Sequence, residues 1–90
     1  MIDLNNGKSL RELQEFPAVF TFKIVGTNTN KFVADVRRIF DGREDVQFSD
    51  NLSKSEKYIS ISATTEVWKY EDLESLYKEI SILEGLKFYV

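Results

Sequence analysis

The sequence predicts a single α+β domain of element order β-α-β-β-α-β, a four-stranded antiparallel sheet with two helices on one face. Three observations predict it. The stretches VFTFKIVG and KYISISATTEV alternate apolar and polar residues, the two-residue period of a strand with one buried face. Phe32, Val33, Val36, Ile39 and Phe40 fall at offsets 0, 1, 4, 7 and 8, and Leu73, Leu76, Tyr77, Ile80 and Leu83 at 0, 3, 4, 7 and 10, so each set stripes one side of a helix. A weaker strand, DVQFSDNLS, precedes KYISISATTEV, and LKFYV closes the chain. With right-handed crossovers this order is the ferredoxin-like split βαβ arrangement.

Each element has its own signals. Residues 1–15 form an N-terminal segment and 16–90 the domain proper. In the segment, SLRELQEF carries a capping box: Ser9 accepts from the backbone of Glu12, whose side chain reaches back. Leu10, Leu13 and Phe16 share one face of that short helix, and Pro17 ends it. The first strand covers 19–26. Thr29 or Asn28 caps the first helix, and Asp41 with Gly42 stops it. Val46 and Phe48 lie on one side of the second strand, and SKSE, residues 53–56, makes the hairpin. In the third strand Ile59, Ile61 and Ala63 face one way, and Tyr58, Ser60, Ser62 and Thr64 the other. Glu71, Asp72 and Glu74 suit the positive end of the second helix, and Gly85 follows its C-terminus. In the last strand Leu86, Phe88 and Val90 alternate against Lys87 and Tyr89.

Composition narrows the chemistry. The 90 residues include no cysteine and no histidine, which removes the thiolate nucleophile, the commonest general base and the commonest transition-metal ligand. The reading is therefore of a protein that is not an enzyme and carries no metal and no cofactor. A formal net charge of -3 gives no global attraction for phosphate backbones, so nucleic acid is disfavoured as a partner. No apolar run approaches the roughly 20 residues of a bilayer span, and MIDLNNGKSL does not read as a signal peptide. The expectation is a cytoplasmic protein with no membrane partner.

Three places could carry function. At residues 26–29, Gly26, Thr27, Asn28 and Thr29 join a strand to a helix N-terminus, where backbone N–H groups favour a carboxylate or phosphate. The plainer reading is that Gly26 supplies backbone geometry while Asn28 and Thr29 cap the helix. The second place is the sheet face away from the helices, with Thr21, Lys23, Tyr58, Ser60, Ser62, Thr64, Lys87 and Tyr89. An RNA-binding sheet stacks bases on aromatics of its two central strands, and here those strands offer Thr21, Lys23, Ser60 and Ser62. A partner-covered or solvated sheet has the same hydroxyl-rich look. The third is the pair of exposed edges, which invite strand pairing between subunits. The carboxylates lie along polar helical faces, Arg37, Arg38 and Arg43 read as a solvated face, and Trp68 reads as a lid on the end of the core or, as the alternative, a hot spot on the surface.

The stretches LRELQEFPAVFTFKIVG, SKSEKYISISATTEV and LESLYKEI resemble the YbeD-like family of small bacterial proteins, which has no established function. Phe16, Pro17, Phe20, Lys23 and Gly26, then Tyr58, Ser60, Leu76 and Tyr77, carry the resemblance across nearly the whole chain. It implies a βαββαβ fold close to ACT domains, regulatory modules that bind amino acids between paired subunits, and it transfers no catalytic residue. By that analogy a ligand would sit at Gly26, Thr27, Asn28 and Thr29 beside a neighbouring subunit. One departure stands out: members of the family commonly have a glycine in the hairpin after the Ser-Lys pair, where this chain has Ser55 and Glu56. The expected role is a non-catalytic regulatory or adaptor domain acting by protein contact, with sensing of an amino-acid-like small molecule as an added expectation. A ligand-free oligomerisation or partner-binding module is the alternative, and single-stranded RNA binding comes after it.

Overall fold

The computed structural model describes residues 15–90; the capping box and most of the short helix expected in residues 1–15 lie outside them. The sheet consists of β1 (Ala18–Thr27), β2 (Gln47–Leu52), β3 (Tyr58–Val67) and β4 (Leu86–Tyr89), with α1 (Asn30–Ile39) and α2 (Tyr70–Ser81) between. All neighbours are antiparallel and the strand order is β2-β3-β1-β4, so the expected α+β sandwich forms with β2 and β4 at its edges. β1 and β3 pair along their full lengths, from Ala18 opposite Val67 to Thr27 opposite Tyr58.

The alternation in the sequence sorts the two central strands. Phe22 and Ile24 of β1 and Ile59, Ile61, Ala63 and Val67 of β3 are buried beneath the helices, which contribute Phe32, Val36, Leu73, Leu76 and Ile80. Aromatic rings hold the layers together: Phe22 lies 5.6 Å from Phe40 and 5.2 Å from Tyr77, centre to centre, and Phe40 meets Phe48 of β2 edge-on at 5.9 Å. These separations suit tilted and T-shaped pairs. Arg37 lays its guanidinium 4.6 Å above the Phe48 ring and so covers part of the edge strand while its own side chain stays exposed.

The loop after α1 is tied back by side chains. Asp45 accepts from the Thr65 hydroxyl and from the Glu66 N–H, each at 2.7 Å. Thr65 is the buried polar residue of the core among the described residues, so this carboxylate supplies the partner that its hydroxyl needs. Arg43 pairs with Asp72 at the start of α2. The Thr65 hydroxyl, and then the Glu66 N–H, hold the Asp45 carboxyl below the ordinary 3.8. A depressed folded value means that the clasp stabilises above that pH and loses its effect as pH falls through the folded value. Asp45→Asn is therefore expected to be less stable than the wild type at neutral pH. Its unfolding free energy should also fall less steeply between about pH 5 and pH 2. Urea titrations across that range check both, and parallel slopes would refute the assignment.

The C-terminal strand departs from simple alternation. Val25 pairs with Phe88 but Gly26 pairs with Leu86, so Lys87 is an extra residue in a β-bulge. One inserted residue turns the following side chains to the opposite face. Tyr89, expected on the open face, lies opposite Ile24 with its ring 5.9 Å from Tyr77, on the helix side. Phe88 and Val90, expected inward, lie on the open face and are 54% and 69% exposed. Val90 is held there by paired backbone hydrogen bonds with Lys23 of 2.9 and 3.2 Å.

Candidate functional site

The turn after β1 is a junction of three chain segments. Gly26 sits beneath the Phe32 ring: a β-carbon there would stand 2.2 Å from the ring's Cζ. Thr27 donates to the Gly85 carbonyl from its N–H at 3.0 Å and from its hydroxyl at 3.2 Å. Asn28 donates from its N–H to the Lys57 carbonyl and from Nδ2 to the Glu56 carbonyl, each at 2.9 Å. Thr29 caps α1 by accepting from the Phe32 N–H at 3.1 Å. The residues are thus brought together as expected, but each polar side chain among them is engaged within the chain. The hairpin that Asn28 grips has Glu56 at φ 61, a left-handed conformation that favours glycine. This is the segment where the YbeD-like resemblance has its glycine.

The open face is built in rows across the strands. Thr21 lies opposite Thr64, with their hydroxyls 2.9 Å apart. Lys23 lies between Ser62 and Val90, and Val25 between Ser60 and Phe88. Tyr58 lies opposite Thr27, and the Lys87 ammonium stands 5.4 Å above the Tyr58 ring centre. Of the residues expected here, Thr21, Lys23, Tyr58, Ser60, Ser62, Thr64 and Lys87 are in place, and Tyr89 is not. The face is also more apolar than expected: Val19 is 67% exposed at one end, while Phe88, Val90 and Val25 cluster at the other. A shallow hollow of about 150 Å³ opens between Tyr58, Val25, Ser60 and Asn51.

Other hollows lie away from the Tyr58 end of this face. One of about 360 Å³ separates the helices, and its floor is Ile39 and Leu83. On its rim Asp35 bridges Lys31 at 2.7 Å and Arg38 at 3.1 Å, so both cations already share a carboxylate partner. Another, of about 370 Å³, lies beside Trp68, Glu44 and Glu66. Trp68 is 66% exposed, so it stands at the surface, as the alternative reading had it, and does not close the core. Val67 is the last inward residue of β3, and strand alternation sends the next side chain outward. Among the described residues no group of three or more acidic, histidine or cysteine side chains could hold a metal ion, and no helix is long and apolar enough to cross a membrane.

Comparison with known proteins agrees with this architecture. A family model described as a protein of unknown function, DUF493, matches residues 11–90. A UPF0250 protein of Haemophilus influenzae is 31% identical over 88 residues, which is 96% of each chain. One from Vibrio cholerae is 29% identical over 86 residues, 93% of this chain and 94% of its own. Among solved structures, a protein from H. pylori matches with a TM-score of 0.71 at 16% identity, over 100% of this chain and 96% of the other. The ACT domain from the GTP pyrophosphokinase of Chlorobium tepidum matches with a TM-score of 0.64 at 13% identity, over 82% and 96%. The YbeD-like resemblance and the ACT-like fold expected from it are both shown.

Proposed function

The chain belongs to the DUF493 family of proteins of unknown function, and from its own geometry we propose that it is a non-catalytic regulatory or adaptor domain that docks another protein on the open face of its sheet. The observation that carries this reading is the apolar cluster of exposed Phe88 and Val90 around half-buried Val25, beside a row of hydroxyls. Large exposed side chains grouped on one face, with polar groups around them, are the composition of a contact surface. The likeness to an ACT domain taken from an enzyme fits a module that acts on another protein.

Photocrosslinking in the native host tests it. Benzoylphenylalanine in place of Ser62, at the centre of the face, is expected to give a discrete protein adduct, and the same group in place of Glu79 on α2 is expected to give none. Adducts from Glu79 alone, or from neither position, would reject the docking face. A small-molecule effector at Gly26, Thr27, Asn28 and Thr29 is the alternative mode of regulation, and its ligand would have to compete with the chain's own contacts there. Calorimetric titration with amino acids reads it directly: saturable heat assigns a sensor, and flat heat leaves protein contact alone.

A further inference from the structure

We propose that the partner presents an acidic segment with an apolar anchor to the end of the open face formed by Lys23, Val25, Tyr58, Lys87, Phe88 and Val90. This rests on the docking reading above and adds the chemistry of the partner. The chain is acidic overall, with a formal charge of -3, yet the two charged side chains at this end of the face are both lysines. Both are exposed, and neither lies within ion-pair distance of a carboxylate among the described residues. The acidic residue of the face, Glu66, lies at the opposite end, beside Val19. On the helix side, by contrast, Lys31, Arg37, Arg38 and Arg43 each have a carboxylate partner.

The lysines are set among apolar groups. Lys23 is flanked by Val90, and the Lys87 ammonium stands over the Tyr58 ring. The hollow between Tyr58, Val25 and Ser60 can seat one apolar side chain. Carboxylates on either side of that anchor then reach Lys23 and Lys87, while Asn51 and Ser60 supply hydrogen bonds. Complementary charge of this kind sets register and selects against other partners. A second copy docked face to face with its strands running the same way would bring lysine toward lysine at this end, which costs free energy. Single-stranded RNA fits less well. Stacking needs aromatics along the strand path, and the central rows offer Thr21, Thr64, Ser60 and Ser62 instead.

The test is selection of a random-peptide phage library on the full chain, run in parallel on the double variant Lys23→Glu, Lys87→Glu. Both side chains are exposed, so the variant should keep the wild-type circular dichroism spectrum and urea midpoint. Enriched peptides are expected to carry an excess of Asp and Glu around an aromatic or aliphatic residue. Their affinity should fall by about tenfold or more on the charge-reversed variant. Their binding should shift the amide resonances of Val25, Tyr58, Ser60 and Phe88 in the wild type. Enrichment of neutral or basic peptides, binding that survives the reversal, shifts confined to the helices, or no enrichment would overturn the proposal. So would preferential retention on poly(U), or a dimer in light scattering that the reversal dissociates. A Ser62 adduct with a non-acidic partner segment would leave the docking face standing and remove this inference alone.

Discussion

Replacing Phe22 with alanine is expected to remove about 4 kcal/mol of folding free energy. Phe22 is 0% exposed, and its ring meets Phe20 along the strand, Phe40 after α1 and Tyr77 on α2. Truncation removes the apolar contact area and also leaves a void among rings held by three different elements. Rings anchored to separate elements cannot all move in to fill it, so the cavity cost is added to the transfer cost. A domain of this size is stable by about 5–15 kcal/mol in total, so the variant should be marginal. Phe22→Leu keeps most of the volume and should cost less than half as much. Thr21→Ala, one residue along on the open face, removes a hydroxyl contact with Thr64 and should cost within about 0.5 kcal/mol. Urea unfolding followed by circular dichroism ranks the three. A Phe22→Ala midpoint close to that of Thr21→Ala would mean that the core does not lie where the register of β1 and β3 puts it.

Much of this architecture is written locally in the sequence. The two-residue period of β1 and β3 assigns a face to every side chain from Phe20 to Ile24 and from Tyr58 to Val67, and the helical stripes name the residues that cover them. The hydroxyl row was legible for the same reason. The far end of the candidate face was not. Its apolar character comes from Phe88 and Val90, which reach it because a bulge opposite Gly26 turns β4 over. A glycine inside a strand signals an irregularity, but the sequence does not say which strand takes the extra residue. Trp68 followed the same logic unseen, one residue beyond the last inward position. The Asp45 clasp joins residues 20 positions apart, and no local pattern announces a contact of that span. At the turn, the residue types were right for a helix cap and for an anion site alike. Only the packing of Phe32 and the reach of Asn28 to the hairpin show what they hold.

Gly26→Ala is expected to destabilise the domain by about 3 kcal/mol, and Gly26→Val by more. The reason is contact, since Gly26 is not among the positive-φ glycines, Gly42 and Gly85. An added β-carbon would lie 2.2 Å from Cζ and 2.4 Å from Cε1 of Phe32, and 2.8 Å from the Gly85 carbonyl oxygen. Neither neighbour can yield cheaply. The Phe32 ring is buried in the core, and the Gly85 carbonyl is held by two hydrogen bonds from Thr27. A double-mutant cycle separates this account from a role in ligand binding. Phe32→Ala alone should cost about 3–5 kcal/mol. Once the ring is gone the two shortest contacts of the Gly26→Ala methyl are relieved and only the approach to the Gly85 carbonyl remains, so the double variant should cost less than the sum by more than about 1 kcal/mol. Additive losses would show that the glycine serves something other than the ring. Under the packing account, loss of a ligand response in a Gly26 variant reports a damaged fold rather than a lost contact, so a sensor at this turn has to be judged by titrating the intact protein.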